Sequence, residues 1–289
     1  MADDPAPATS PYAPADHTER LWTPWRMGYV GGGVKEAGCI FCNRLAADDD
    51  VASLILWRAT RSFVIMNLFP YNTGHVMLVP NTHVPGPEDT EPETLAELAT
   101  MRRPLLRALR RALSCDGFNL GVNVGAFAGA GVAEHLHEHV VPRWAGDANF
   151  MPILAATMVL PELIPVTYAK LRAELAREMG SLPAVTLAVV DETGERALVG
   201  KNGRLLTVEA IAGRPSWRTA VDAVRETTGR EPTLLGWAGT TPARRGAAVL
   251  AFLARGAGGS WLSLDGLRAD EMEIVTRARA LLEPGDGPR

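Results

Sequence analysis

Residues Glu134–Trp144 read EHLHEHVVPRW, which sets His135, His137 and His139 at alternate positions in a chain that holds only six histidines. In an extended strand the side-chain period is two, so these imidazoles share one face while Leu136, Glu138 and Val140 share the other. Neutral imidazole is both a ligand and a nucleophile near neutral pH, so three side by side form either a metal site or a reactive site. The stretch just upstream, NVGAFAGAG from Asn123 to Gly131, is a loop of small residues. It is either a simple hairpin connection or a loop in which Asn123, Gly125, Gly129 and Gly131 leave backbone N–H groups free to approach phosphate oxygens, since glycine permits the required dihedral angles.

Outward from this stretch the pattern predicts a mixed α+β chain. SLILW, SFVIMNLF and HVMLVP, between Ser53 and Pro80, read as strands separated by turn signals such as Tyr71-Asn72-Thr73-Gly74. From Glu93 to Leu113 apolar residues recur at helical spacing, with Pro104 marking a kink. GFNLGVNVG is a strand leading into the glycine loop, and a further helix is expected at Val166 to Glu178. Residues 1–17 are rich in Pro, Ala and Asp and are expected to be disordered. Order begins at LWTPWRMGYV, residues 21–30. The text changes character at MGSLPA, which puts a domain boundary near residue 180.

Composition restricts the function classes. With 47% hydrophobic and 21% charged residues over 289 positions and a formal charge of -4, nothing points to a nucleic-acid surface. No apolar stretch approaches the roughly 20 residues of a membrane helix. No positively charged start precedes an apolar run, so a secretory signal is not expected and the cytoplasm is the expected location. Of three cysteines, Cys39 and Cys42 form a C-x-x-C, for which metal or redox use is expected rather than a disulfide framework.

His-Leu-His-Glu-His-Val-Val resembles the signature of the histidine-triad (HIT) family. NLFPYNTGHVMLVPNTHV, residues 67–84, looks like that family's central strand pair, and NVGAFAGAG like its phosphate-binding loop. LWTPWRMGYV and HVVPRWAGDANFMP, residues 139–152, look most like the branch containing bacterial diadenosine tetraphosphate phosphorylases. The resemblance covers about residues 18–178. It implies a HIT-type antiparallel sheet with helices in a nucleotide-binding catalytic domain over residues 18–180, usually a homodimer. It also implies transfer of a nucleotidyl group from an adenine-type nucleotide through a histidine intermediate. By position, His137 is the nucleophile at the α-phosphorus, and His139 orients it or hydrogen-bonds a phosphoryl oxygen. Asn67, Asn123, Gly125, Gly129 and Gly131 fall at substrate-binding positions, with Arg143 and Trp144 placed to contact phosphate and base. Zinc-containing members imply a structural zinc on Cys39, Cys42, His83 and His135, a donor set suited to a closed tetrahedral site. His75 is assigned to turn structure and Cys115 to the core.

Two departures stand out. Glu138 occupies a position that is usually apolar, and a buried carboxylate needs water, an arginine or a subunit interface as its partner. The AGAGV segment lacks the hydroxyl or amide side chain that many relatives place near the leaving group, which leaves open whether water, phosphate or another group is the final acceptor.

Residues 181–289 read as strands AVTLAVVD and RALVGK, a helix from Ser216 to Thr227, strands TLLGWAG and AAVLAFLAR, and a closing helix from Ala269 to Leu282. This order resembles a smaller α/β Nudix-like domain. A working Nudix box needs paired carboxylates for magnesium on one helix face. The corresponding positions here are Asp222-Ala223 and Glu226-Thr227, so the domain is expected to be degenerate. The chain as a whole is expected to be a HIT-type nucleotidyl hydrolase or transferase. The alternatives are a specialised biosynthetic transferase, a phosphoramidate or sulfate hydrolase, and a nucleotide-binding sensor.

Overall fold

Alternation along the strands sorts the first sheet into two faces. In the computed structural model, which describes residues 37–147, 162–180, 184–241, 247–255 and 258–282, this sheet has the order β1-β2-β3-β5-β4 and every pairing in it is antiparallel. The tail at 1–17, the segment 21–30 and the end of the 139–152 stretch lie outside the described residues. Its members are β1 (Ile55–Arg58), β2 (Ser62–Met66), β3 (Val76–Pro80), β4 (Gly117–Val122) and β5 (Glu138–Arg143), preceded by a short helix α1 (Ile40–Ala46). Val64, Met66, Val76, Leu78, Leu136 and Val140 turn to one side and pack in a single cluster with Leu98, Met101, Leu105 and Leu109 of α2 (Pro92–Leu113). Phe63, Ile65, Met77 and Val79 turn to the other side and pack with Ile55 and with Phe41 of α1. Since His139 lies opposite Met77 in the β3–β5 register, the histidines share the face away from α2.

The α2 helix has the end signals its sequence supplies: Pro92 in the first turn, Arg110 and Arg111 in the last, and Ser114 in the left-handed region at φ 54°. It runs unbroken through Pro104.

The ladder, however, begins only at Glu138. Strand geometry was expected from the first histidine, but Leu136 donates its backbone N–H to the Val84 carbonyl at 2.6 Å rather than to a strand partner. His135 and His137 are thus held by loop contacts, and the two-residue alternation of side chains survives outside the ladder.

The later strands form a mixed sheet ordered β11-β7-β6-β10-β9, with β8 also paired to β6. The strands are β6 (Ala184–Val190), β7 (Arg196–Val199), β8 (Leu206–Glu209), β9 (Thr233–Thr241), β10 (Ala247–Leu253) and β11 (Ser260–Ser263). Only β6 and β10 run parallel. Helices α3 (Ile164–Glu178) and α4 (Ser216–Thr228) lie on the face that joins the first cluster, and α5 (Ala269–Ala280) covers the other. One hydrophobic cluster therefore runs from α2 through Tyr168, Leu171 and Leu175 of α3 to Leu187, Trp237 and Phe252.

A buried carboxylate reinforces this joint. Glu174 of α3 is fully buried, accepts the Ser216 N–H at the start of α4 at 2.5 Å, and pairs with Arg111 of α2 at 3.4 Å. Trp217 of α4 donates its indole N–H to the Ala112 carbonyl of α2 at 3.1 Å. Removing the carboxylate leaves the first N–H of α4 unpaired while Arg111 keeps Glu178, so Glu174→Ala should cost about 1–3 kcal/mol. Equilibrium denaturation tests this, and no measurable loss would show that Glu174 does not hold the joint.

Candidate active site and Cys/His cluster

Hydrogen bonds fix which nitrogen of each imidazole carries its proton. His137 donates Nδ1–H to the His135 carbonyl at 2.8 Å, which leaves the Nε2 lone pair unprotonated. Burial pushes the His137 imidazole below its ordinary pKa, partly offset by that same bond, so the ring is neutral near pH 7.

His139 is set by a relay. The Tyr71 backbone N–H donates to His75 Nδ1 at 3.1 Å, so His75 carries its proton on Nε2 and donates it to His139 Nδ1 at 3.0 Å. His139 therefore carries its own proton on Nε2. The two triad rings meet edge to face, with centroids 4.9 Å apart. Tyr71 stacks on His75 at 4.7 Å, and Asn67 adds a longer contact to His75 Nδ1 at 3.4 Å. His75, which the sequence assigned to turn structure, is fully buried and belongs to the site. A single histidine at a strand start has no periodic pattern, so nothing in the spacing marked it.

Glu138 finds an arginine. On the α2 side of the sheet its carboxylate engages Arg102 Nε through both oxygens, at 2.9 and 3.0 Å. The carboxylate is thereby satisfied on the face opposite the histidines.

The loop before the triad opens toward solvent. Gly125 and Gly129 have φ of 79° and 82°, and a Cβ at either would meet nothing within 4 Å. Asn123 follows β4 directly, Gly131 is exposed, and Phe127 at the loop tip is fully exposed. Arg143 is engaged elsewhere: its guanidinium forks onto Asp147 with two contacts of 2.6 Å and also donates to Asn119 at 2.9 Å. The fork holds the Asp147 carboxyl at about 2. A phosphate reaching Arg143 would have to compete with Asp147. Trp144, next along the chain, donates its backbone N–H to the same carboxylate at 3.0 Å.

Beside the triad, Cys39, Cys42, His83 and His135 bring four ligand atoms within 4.8 Å of one another, the one such group among the described residues. Cys39 Sγ lies 3.3 Å from His135 Nδ1, and Cys42 Sγ lies 3.4 Å from His83 Nδ1 and 3.6 Å from His135 Nδ1. Bond lengths of about 2.0–2.3 Å to a tetrahedral cation such as zinc put neighbouring ligand atoms roughly 3.3–3.8 Å apart. His135 donates Nε2–H to the Pro80 carbonyl at 2.9 Å, which aims its Nδ1 lone pair at the thiols. The donor set and its spacing fit a four-coordinate metal. The ligands span about a hundred residues, so a cation here would tie α1 to the triad segment.

A neutral imidazole with a free Nε2, a neighbouring Nε2–H donor and a glycine loop make a site suited to attack on a phosphoryl group. The HIT domain matches residues 49–146. A Mycobacterium tuberculosis protein called AP-4-A phosphorylase is 38% identical over 170 residues, which is 56% of this chain and 87% of that one. An uncharacterized HIT-like protein of Saccharolobus solfataricus is 33% identical over 39% of this chain and 79% of its own. Adenylylsulfatase HINT3 of Arabidopsis thaliana is 30% identical over 42% of this chain and 63% of its own. Among solved structures, a zinc-bound histidine triad family protein from Mycobacterium smegmatis aligns at 29% identity and TM-score 0.41, covering 50% of this chain and 96% of that one. The chain belongs to the histidine-triad family and is an enzyme of its nucleotide hydrolase and transferase kind. No helix among the described residues is long and apolar enough to cross a membrane.

Proposed function

We propose that the protein cleaves an adenine-type dinucleoside polyphosphate at the α-phosphate by phosphorolysis, through a nucleotidyl intermediate on His137. The observation that carries this reading is the hydrogen bond from His137 Nδ1 to the His135 carbonyl, which leaves Nε2 as a neutral nucleophile. Its lone pair forms a bond to the α-phosphorus while the bridging P–O bond breaks, and that electron pair leaves with the departing polyphosphate. His139, with its proton on Nε2, donates to a phosphoryl oxygen as charge builds there. An acceptor oxygen then attacks the phosphorus, the P–N bond breaks, and the imidazole is restored. Asn67, Asn123, Gly125, Gly129, Gly131, Arg143 and Trp144 are the proposed substrate contacts. The likeness to AP-4-A phosphorylase favours phosphate as acceptor.

Incubation with diadenosine tetraphosphate decides the acceptor. ATP plus ADP formed only with inorganic phosphate supports phosphorolysis, and ATP plus AMP without it means hydrolysis. No product from either would favour a sensor or a specialised transferase. Within this reading, His75→Phe removes the group that fixes the His139 tautomer. It should lower kcat by roughly 10²-fold with a smaller change in KM. An unchanged kcat would remove the relay from the mechanism.

A structural zinc on Cys39, Cys42, His83 and His135 belongs to the same proposal. We assign the catalytic domain to residues 18–180, and read 181–289 as a degenerate Nudix-like domain. Its α4 carboxylate Asp222 is engaged by Arg214 and Arg225 and so is committed to ion pairs rather than to a metal. A homodimer through the first sheet is supported by β4, whose free edge leaves Leu120 and Val122 exposed, with Val124 exposed just beyond. Val122→Lys should shift sedimentation from dimer to monomer, and a wild-type monomer would overturn this assembly.

A further inference from the structure

Phe41 stands between the two thiols of the C-x-x-C, and its ring reaches both the first and the second histidine of the triad. The centroids lie 5.4 Å from His135 at 67° and 5.1 Å from His137 at 44°. Phe41 and His137 are each 4% exposed, so the contact is enclosed. The helix that carries Phe41 has seven residues and no side-chain cap at its N-terminus. A helix this short has little stability of its own. It is held at its C-terminal end by Arg58, which donates to the Leu45 and Ala47 carbonyls at 2.6 and 2.8 Å, and at its other end by the thiols of Cys39 and Cys42 against His135 and His83 and by the packing of Phe41 on Ile55, Phe63, Ile65, Met77 and Val79. His137, for its part, is tied at Nδ1 to the backbone of His135. That bond fixes one point of the ring and leaves its plane to be set by the rings packed against it, Phe41 at 5.1 Å and His139 at 4.9 Å.

We propose that Phe41 is a positioning residue: anchored by the Cys39/Cys42 cluster, its ring sets the plane of the His137 imidazole so that Nε2 faces the reacting phosphorus. The inference rests on the reading of His137 as nucleophile and of the cluster as a metal site. It makes the Cys/His cluster part of the catalytic arrangement, because His135 reaches the nucleophile by its carbonyl and also through Phe41. A displacement of the nucleophile by a fraction of an ångström is enough to slow the chemical step.

The test compares zinc-loaded wild type, Phe41→Leu and Phe41→Ala. Three quantities are read: kcat and KM with diadenosine tetraphosphate, metal content, and the 15N shifts of the His137 ring nitrogens in the substrate-free protein. Both variants should keep the wild-type metal stoichiometry. In Phe41→Ala, kcat should fall roughly 10- to 100-fold while KM stays within about threefold, with Phe41→Leu in between. A ring free to turn carries its Nδ1–H off the line of the His135 carbonyl, so the His137 nitrogens should move from a single Nδ1–H tautomer toward an averaged signal. A loss confined to KM would make Phe41 a nucleotide contact and overturn the proposal, as would a loss that merely tracks lost metal. If wild type turns over neither with phosphate nor with water, the nucleophile reading fails, and the 15N shifts still decide: averaging in Phe41→Ala supports the positioning role, and unchanged shifts overturn it.

Discussion

Replacing His137 with alanine should lower turnover of diadenosine tetraphosphate by at least ~10⁴-fold, since covalent catalysis has no substitute once its nucleophile is gone. The fold should survive, because the ring makes one backbone hydrogen bond and its removal opens a pocket on the active-site face rather than in the cluster under α2. Equal far-ultraviolet dichroism and metal content would establish that. In wild type, rapid quench into alkaline denaturant, in which the acid-labile P–N bond survives, should trap a nucleotide on the peptide that carries His137, and the variant should lack it. Activity within about tenfold of wild type would transfer the nucleophile's role elsewhere. The direction of the pKa shift fits the assignment. Burial keeps His137 neutral, and a protonated ring has no lone pair to offer at Nε2.

His139 presents a contrasting case on the same face. Its proton is placed on Nε2 by a chain of donors that starts at a backbone amide, passes through His75 and ends at the site. Two adjacent imidazoles thus hold opposite roles, acceptor and donor, because their Nδ1 atoms meet opposite partners: a carbonyl for His137 and an N–H for His139.

That division was not written in the spacing of the triad. Alternation identified which histidines share a face and which residues turn to the helix, because a two-residue period depends on local backbone alone. The buried strands and the long helix were legible too: Phe63 to Met66 is an unbroken apolar run before a turn signal, and Leu98 to Ala112 shows the helical period plainly. The short elements were not. Strands β8 and β11 have four residues each and are half-exposed, so their patterns are too short to stand out from the neighbouring loops. Helix α1 is hidden inside the C-x-x-C and is set by contacts with His83 and His135, some 40 and 90 residues away. His75, Phe41 and the Arg102 partner of Glu138 act through contacts that only the folded sheet creates. Arg143 shows the converse, since the sequence offered it to phosphate and the fold gives it Asp147.

Cys39→Ser combined with Cys42→Ser should abolish metal binding and carry a stability cost on the scale of ligand linkage. A cation present at about 1,000 times its dissociation constant stabilises the folded state by about 4 kcal/mol, so the thermal midpoint should fall by roughly 10 °C. The thiols are the residues to change, because His135 also holds Pro80 and supplies the carbonyl that sets His137. Without a cation the cluster is poorly arranged for its own side chains. Burial and the neighbouring Cys39 thiol push the Cys42 thiol above its ordinary pKa, and burial pushes His135 below its own, so neither charged form is favoured. A divalent cation reverses this, since it stabilises thiolate and binds neutral imidazole. Binding should therefore release protons and weaken as pH falls. Metal-free wild type should match the double serine variant in midpoint, and adding zinc should restore wild type alone. If the variant keeps both its metal and its midpoint, the four residues are not the metal site, and the short helix is held by the packing of Phe41 and by the Arg58 bonds to Leu45 and Ala47 instead.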